Sequence, residues 1–93
     1  MNIPALLVEF LGTFIFLFVI VATGNPWAIG GTLAVLIYLG GAISGGHFNP
    51  AVTVMMLFKR GGAKADVAIG YIVAQLVAGI LAYTVYKQLN AKV

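Results

Sequence analysis

The chain has 93 residues, 62% of them hydrophobic and 8% charged, with a net charge of +3 and no cysteine. A chain this short and this apolar lacks the polar covering that a small water-soluble domain requires, and without thiols it has no disulfide or thiolate chemistry. Its five cations flank the apolar runs, a pattern of membrane anchoring with no nucleic-acid partner.

The first element is predicted over residues 4–22, with Pro4 suited to the opening turn of a helix. No basic region precedes it, its apolar run exceeds a signal-peptide core, and no small-residue cleavage pattern follows. It is expected to be a permanent span. Thr23-Gly24-Asn25-Pro26 reads as a very short turn, and a second span is expected over residues 27–43. Both runs approach the ~20 residues that cross a ~30 Å hydrocarbon core.

Ser44-Gly45-Gly46-His47-Phe48 is a polar, glycine-rich loop, and Asn49 and Pro50 suit the N-cap and first position of a helix. Lys59-Arg60-Gly61-Gly62 stops that helix, whose roughly nine residues give ~14 Å, about half the core. It cannot cross, so residues 44–58 are expected to form a re-entrant loop and half-helix. A third span is expected over residues 65–86, followed by a polar tail from Lys87. The expected architecture is all-α: three transmembrane helices plus one re-entrant half-helix, forming a single unit over residues 1–93. Such a chain is a multi-pass integral membrane protein with the lipid bilayer as a partner, expected in the plasma or cytoplasmic membrane.

Small residues recur within the spans: Gly70, Ala74, Ala78 and Ala82 in the third, Gly30 and Ala34 in the second, Gly12 in the first. Close helix contact in lipid rests on van der Waals packing, which small residues permit, so these positions predict helices that assemble.

Hydrocarbon tolerates irregular backbone only where protein or a water-filled cavity satisfies its hydrogen bonds. A loop like 44–48 between two spans therefore implies a polar path at membrane depth. The half-helix brings unpaired N–H groups and about half a positive charge to its N-terminus. The loop turns carbonyl acceptors toward the lumen, and Asn49, its oxygen held in capping, keeps its amide N–H groups as fixed donors. Acceptors in a line with one central donor suit a file of small neutral molecules, and the positive helix end opposes cations and protons.

The motif Ser44-Gly45-Gly46-His47-Phe48-Asn49-Pro50-Ala51-Val52-Thr53 resembles the first Asn-Pro-Ala loop of the aquaporin and glycerol-facilitator (major intrinsic protein) family. Val8-Glu9-Phe10-Leu11-Gly12-Thr13-Phe14 is similar to that family's first-helix signature, and Gly70-Tyr71-Ile72-Val73-Ala74-Gln75 to its third helix. The resemblance implies that the carbonyls of Gly45, Gly46, His47 and Phe48, the donor Asn49, and Pro50 and Ala51 beside it line a pore. Family members carry two such halves related by an inverted repeat, and the resemblance covers the first. It implies that two copies in opposite orientations form the pore as an antiparallel dimer. Because family members are tetramers of pores, it further implies four such pairs.

Charge permits that pairing: three cations (Lys59, Arg60, Lys64) face two (Lys87, Lys92), a weak bias under the positive-inside rule. Where the family's second loop carries an arginine three residues after the Asn, this chain has Val52. The span position that is usually aromatic in water-selective members falls at Ile29, and an inverted partner would contribute near Ile37 and Gly46. These assignments imply two identical, mainly apolar constrictions, hence a channel passing water and small uncharged solutes such as glycerol.

Glu9, ionisable within a span, is a functional candidate by default. Its alternative reading is a buried acceptor for loop N–H groups. The resemblance implies this supporting role for Glu9, and Gln75 is read the same way. His47 has no Cys or second His with which to share a metal and is expected to brace the loop, a pH gate being the alternative. Trp27 and Tyr86 are expected in interfacial belts, Tyr71 and Tyr83 in ordinary packing, and Met55 and Met56 as gap-filling side chains. No nucleophile–base pair, carboxylate dyad, phosphate-cradling glycine motif or metal cluster is present, so neither an enzyme nor a cofactor is expected. Two other functions compete with the channel. One is a dual-topology proton-coupled transporter using Glu9; the other is a non-conducting half-unit that needs a separate second-half partner.

Overall fold

The computed structural model describes residues 2–91, so Lys92 of the charge comparison lies outside the described residues. Four helices follow one another: α1 (Ile3–Thr23), α2 (Pro26–Ser44), α3 (Pro50–Phe58) and α4 (Ala65–Asn90). Each of the first three begins on an asparagine that accepts backbone N–H groups otherwise left without partners. Asn2 Oδ1 accepts from Ala5 N at 3.1 Å, Asn25 Oδ1 from Trp27 and Ala28 N at 2.9 and 3.0 Å, and Asn49 Oδ1 from Ala51 N at 2.8 Å.

The turn expected over residues 23–26 is shorter than that. Gly24, at φ 56°, ends α1 by donating to Ile20 O, and Asn25 already caps α2, so Pro26 is helical. Proline at a first helical position loses no hydrogen bond, which is why the helix can start there. At the other end α4 runs four residues past Tyr86, because nothing from Lys87 to Asn90 opposes a helix.

α1 packs between α2 and α4, and α3 rests on α4. Among the described residues no Cα of α2 comes within 8 Å of α3 or α4, which leaves an open face between the second span and the half-helix. Burial is inverted relative to a water-soluble protein. Glu9, Thr13, Ser44, His47, Thr53 and Gln75 are buried, while Leu7, Leu11, Val35, Leu39, Ile69, Val73 and Ile80 are exposed. Among the described residues three helices are long and apolar enough to cross a membrane, and in lipid the polar groups must satisfy one another inside. The chain is a multi-pass integral membrane protein.

The small-residue row on α4 takes a different course from the one expected. The buried line is Ala68, Tyr71, Gln75, Ala78 and Ala82, with Gly70 and Ala74 only half-buried. At ~100° per residue a strict four-residue row drifts ~40° at each step, so a straight neighbour meets alternating steps of three and four. On α2, Gly30 and Ala34 are exposed and make no packing stripe within the chain.

Candidate functional site

Asn49 stands at the tip of α3, where capping consumes its Oδ1. Asn49 is exposed, and its Nδ2 makes no hydrogen bond among the described residues. Ala51 is exposed beside it and Pro50 half-buried. Nine residues of α3 put this tip ~14 Å from the Phe58 end.

The loop is folded over one carboxylate. Glu9, fully buried on α1, accepts four hydrogen bonds. Its Oε2 receives Ser44 Oγ at 2.7 Å and His47 N at 3.0 Å; its Oε1 receives Phe48 N at 2.8 Å and Gln75 Nε2 at 2.9 Å. A carboxylate offers about four acceptor positions, and all are used. A buried carboxylate in an apolar setting is costly unless its lone pairs are engaged in this way. In return it satisfies two loop N–H groups that have no helical partner. Ser44 Oγ takes a third, accepting from Gly46 N at 3.1 Å.

A second buried oxygen ties the loop to the half-helix. Thr53 Oγ1 accepts from Gln75 Nε2 at 2.9 Å and lies 2.8 Å from His47 Nδ1. Gln75 thus bridges α1 and α3 through one nitrogen. His47, 8% exposed, also meets Tyr71 edge to face, with ring centroids 5.1 Å apart. Tyr71, expected as ordinary packing, does more than that, since its hydroxyl donates to Ser44 O at 2.6 Å and holds the end of α2. Two buried oxygens, Thr13 Oγ1 and Gln75 Oε1, have no partner among the described residues.

The loop needs left-handed backbone at three places: Gly45 (φ 93°), Gly46 (φ 65°) and Phe48 (φ 51°). Glycine adopts this region without strain, whereas a side chain there costs roughly 1–2 kcal/mol. The Phe48 ring is 1% exposed. A Cβ on Gly12 would overlap its Cε1, and one on Gly40 would lie 3.4 Å from its Cζ. Of the expected lining residues, His47 and Phe48 therefore bury their side chains and leave only backbone for the open face. Gly45 is exposed and Gly46 half-buried.

Within the chain the expected constriction residues Ile29, Ile37 and Val52 stand apart from one another. Ile37 and Gly46 are neighbours: a Cβ on Gly46 would lie 3.5 Å from Ile37 Cα and Cγ1. Ile29 is half-buried eight residues earlier on α2, ~12 Å along the helix. Val52 is half-buried on the first turn of α3. Trp27 is exposed at the start of α2. Tyr86 packs its edge on Phe18 with centroids 6.3 Å apart, and Tyr83 is exposed beside it.

Sequence reasoning gave Thr53 and Ser44 no role of their own and read Tyr71 as packing alone. The only local signal was Thr53 lying four residues after Asn49, one turn above the cap on a short helix. Ser44 and Tyr71 carried none, because their partners are 35 and 27 residues away.

A family model described as Major intrinsic protein matches residues 23–93. Among curated relatives, a glycerol uptake facilitator protein-like 6 of Lactiplantibacillus plantarum is 48% identical over 87% of this chain and 41% of the relative. An aquaporin Z of Photorhabdus laumondii is 41% identical over 83% of this chain and 39% of the relative. A probable aquaporin PIP2-6 of Oryza sativa is 38% identical over 89% of this chain and 36% of the relative. The chain thus spans about two fifths of the length of the relatives it matches. No solved structure matches.

Proposed function

Because the chain belongs to the major intrinsic protein family, we propose that it forms one wall of a passive channel for water and small uncharged solutes such as glycerol. A second copy, inserted in the opposite orientation, forms the other wall. The observation that carries this reading is the exposed Asn49, its Oδ1 consumed in capping, at the tip of a half-length helix. In the antiparallel pair two such tips meet near the bilayer midplane. Each supplies a donor and the positive end of a helix dipole, and the carbonyls of residues 45–48 supply acceptors on either side.

A molecule that both gives and takes hydrogen bonds can exchange partners along that row, while a cation meets two positive helix ends. Val52 leaves the constriction without a fixed cation, and Ile29 and Ile37 line it with apolar surface. With no fixed cation at the constriction, a small polyol can follow water. Two tests bear on the reading. Liposomes holding the purified chain should swell in both water and glycerol gradients, and Asn49→Cys copies should cross-link in the membrane. Absence of water flux, or cysteines that never meet, overturns the proposal.

The chain's share of its relatives' length favours one second reading, in which the opposite wall comes from a different sequence that carries an arginine three residues after its own Asn. In that case the chain alone is silent, and flux appears only when a second half is co-reconstituted. Proton coupling through Glu9 gains no support from the geometry, since all four acceptor positions are already engaged.

A further inference from the structure

We propose that Phe48 is the positioning residue of this channel. Its ring, seated between Gly12 and Gly40, fixes the bend that aims Asn49 and so sets how readily glycerol passes relative to water. The inference rests on the channel reading above.

Phe48 is the one non-glycine residue with left-handed backbone among the described residues. Such a conformation persists only where the surroundings over-determine it, and three contacts do so here. The Phe48 N–H is tied to Glu9 Oε1 at 2.8 Å. The ring is almost wholly buried. The two helices it fits between present glycines at the points of contact, one of them so close that a Cβ would enter the ring.

The next residue is Asn49, whose backbone is extended at φ −163° and whose Oδ1 is already committed to Ala51 N. With the oxygen anchored, the direction of the Nδ2 donors follows the backbone at 48–49, and that backbone follows the ring. An apolar cleft of about 190 Å³, bordered by Gly12 and Gly40 themselves together with Val8, Leu36, Leu39 and Ile43, runs along the ring. A methyl group added at Gly12 would meet the Phe48 ring and no helix backbone, so the ring is the group that must shift.

The test uses Gly12→Ala, Phe48→Leu and the double variant, reconstituted in liposomes at matched amounts of folded protein. The readout is the ratio of glycerol to water permeability. Gly12→Ala should shift that ratio by about fivefold, the rate equivalent of ~1 kcal/mol at one barrier. The smaller leucine in the double variant should restore the parental value. A residue that merely stabilises the fold would lower both permeabilities together. An unchanged ratio in a conducting Gly12→Ala protein overturns the proposal.

If Gly12→Ala does not fold, Phe48→Leu alone must move the ratio, and failure to do so has the same consequence. A parental protein that does not conduct defeats the channel reading instead. The positioning role is then read from the Asn49 side-chain amide resonances in micelles. They should shift in Gly12→Ala and return in the double variant, and resonances that stay in place reject it.

Discussion

Gln75 reaches Glu9 across the α1–α4 interface, its Nε2 donating to Glu9 Oε1 at 2.9 Å, and the same nitrogen donates at 2.9 Å to Thr53 Oγ1 on α3. One amide nitrogen thus joins the first helix, the half-helix and the last helix. Through Glu9 it also holds the loop, because the carboxylate accepts from the backbone of His47 and Phe48.

Glu9→Gln should damage the fold more than the transport chemistry. The new amide presents N–H groups where donors now arrive, leaving buried donors unmatched at roughly 1–3 kcal/mol each. The expected result is a lower yield of folded protein and a lower unfolding midpoint in detergent. The fraction that folds should still conduct. A well-folded Glu9→Gln protein that has lost transport would point to proton coupling instead.

Two threonine-to-valine changes of equal size should have opposite signs. Thr53→Val removes an oxygen shared by Gln75 and His47 and should destabilise by about 1–3 kcal/mol. Thr13 Oγ1 is buried with no partner among the described residues. Thr13→Val should therefore be neutral, or stabilising by up to ~1 kcal/mol. Denaturation of both variants in the same detergent reads the difference.

Tyr71→Phe removes the donor that closes the end of α2 onto α4 through Ser44 O. Ser44 O loses one bond, worth about 1 kcal/mol, while the ring's contact with His47 is kept. Thermal unfolding should fall modestly. Amide exchange should rise locally over residues 44–46, which stable loop amides would contradict.

Val52→Arg would place a cation on the first turn of the half-helix in both copies of an antiparallel pair. Burying it at membrane depth costs roughly 2.5–3.5 kcal/mol on insertion scales, so yield should drop. In the protein that inserts, glycerol flux should fall while water flux persists, since the added donors narrow an apolar constriction. Equal loss of both fluxes would speak against Val52 lying at the constriction.

The helices, the Asn49 cap and the half-length of α3 were legible in the sequence, because each depends on residues within about four positions of one another. Asparagine at a cap, glycine after a helix and apolar runs of spanning length act locally, wherever the rest of the chain goes. Glu9 and Gln75 could be singled out as ionisable or polar groups inside spans, since lipid makes such residues expensive. Their partners could not be read this way. The four donors on Glu9 come from positions 35 to 66 residues away. Thr53 gained its role only when α4 delivered Gln75 to it.

The sequence by itself determined that this chain is helical, membrane-spanning and interrupted by a capped half-helix, because hydrophobic length and capping are short-range properties. Only the tertiary structure decided which polar groups meet inside, and that Phe48 rather than a third glycine takes the left-handed turn. It also decided that the buried row on α4 alternates steps of three and four. Those outcomes depend on how close the helices stand, and a pair of glycines such as Gly12 and Gly40, 28 positions apart, acquires a shared ring only once they have packed.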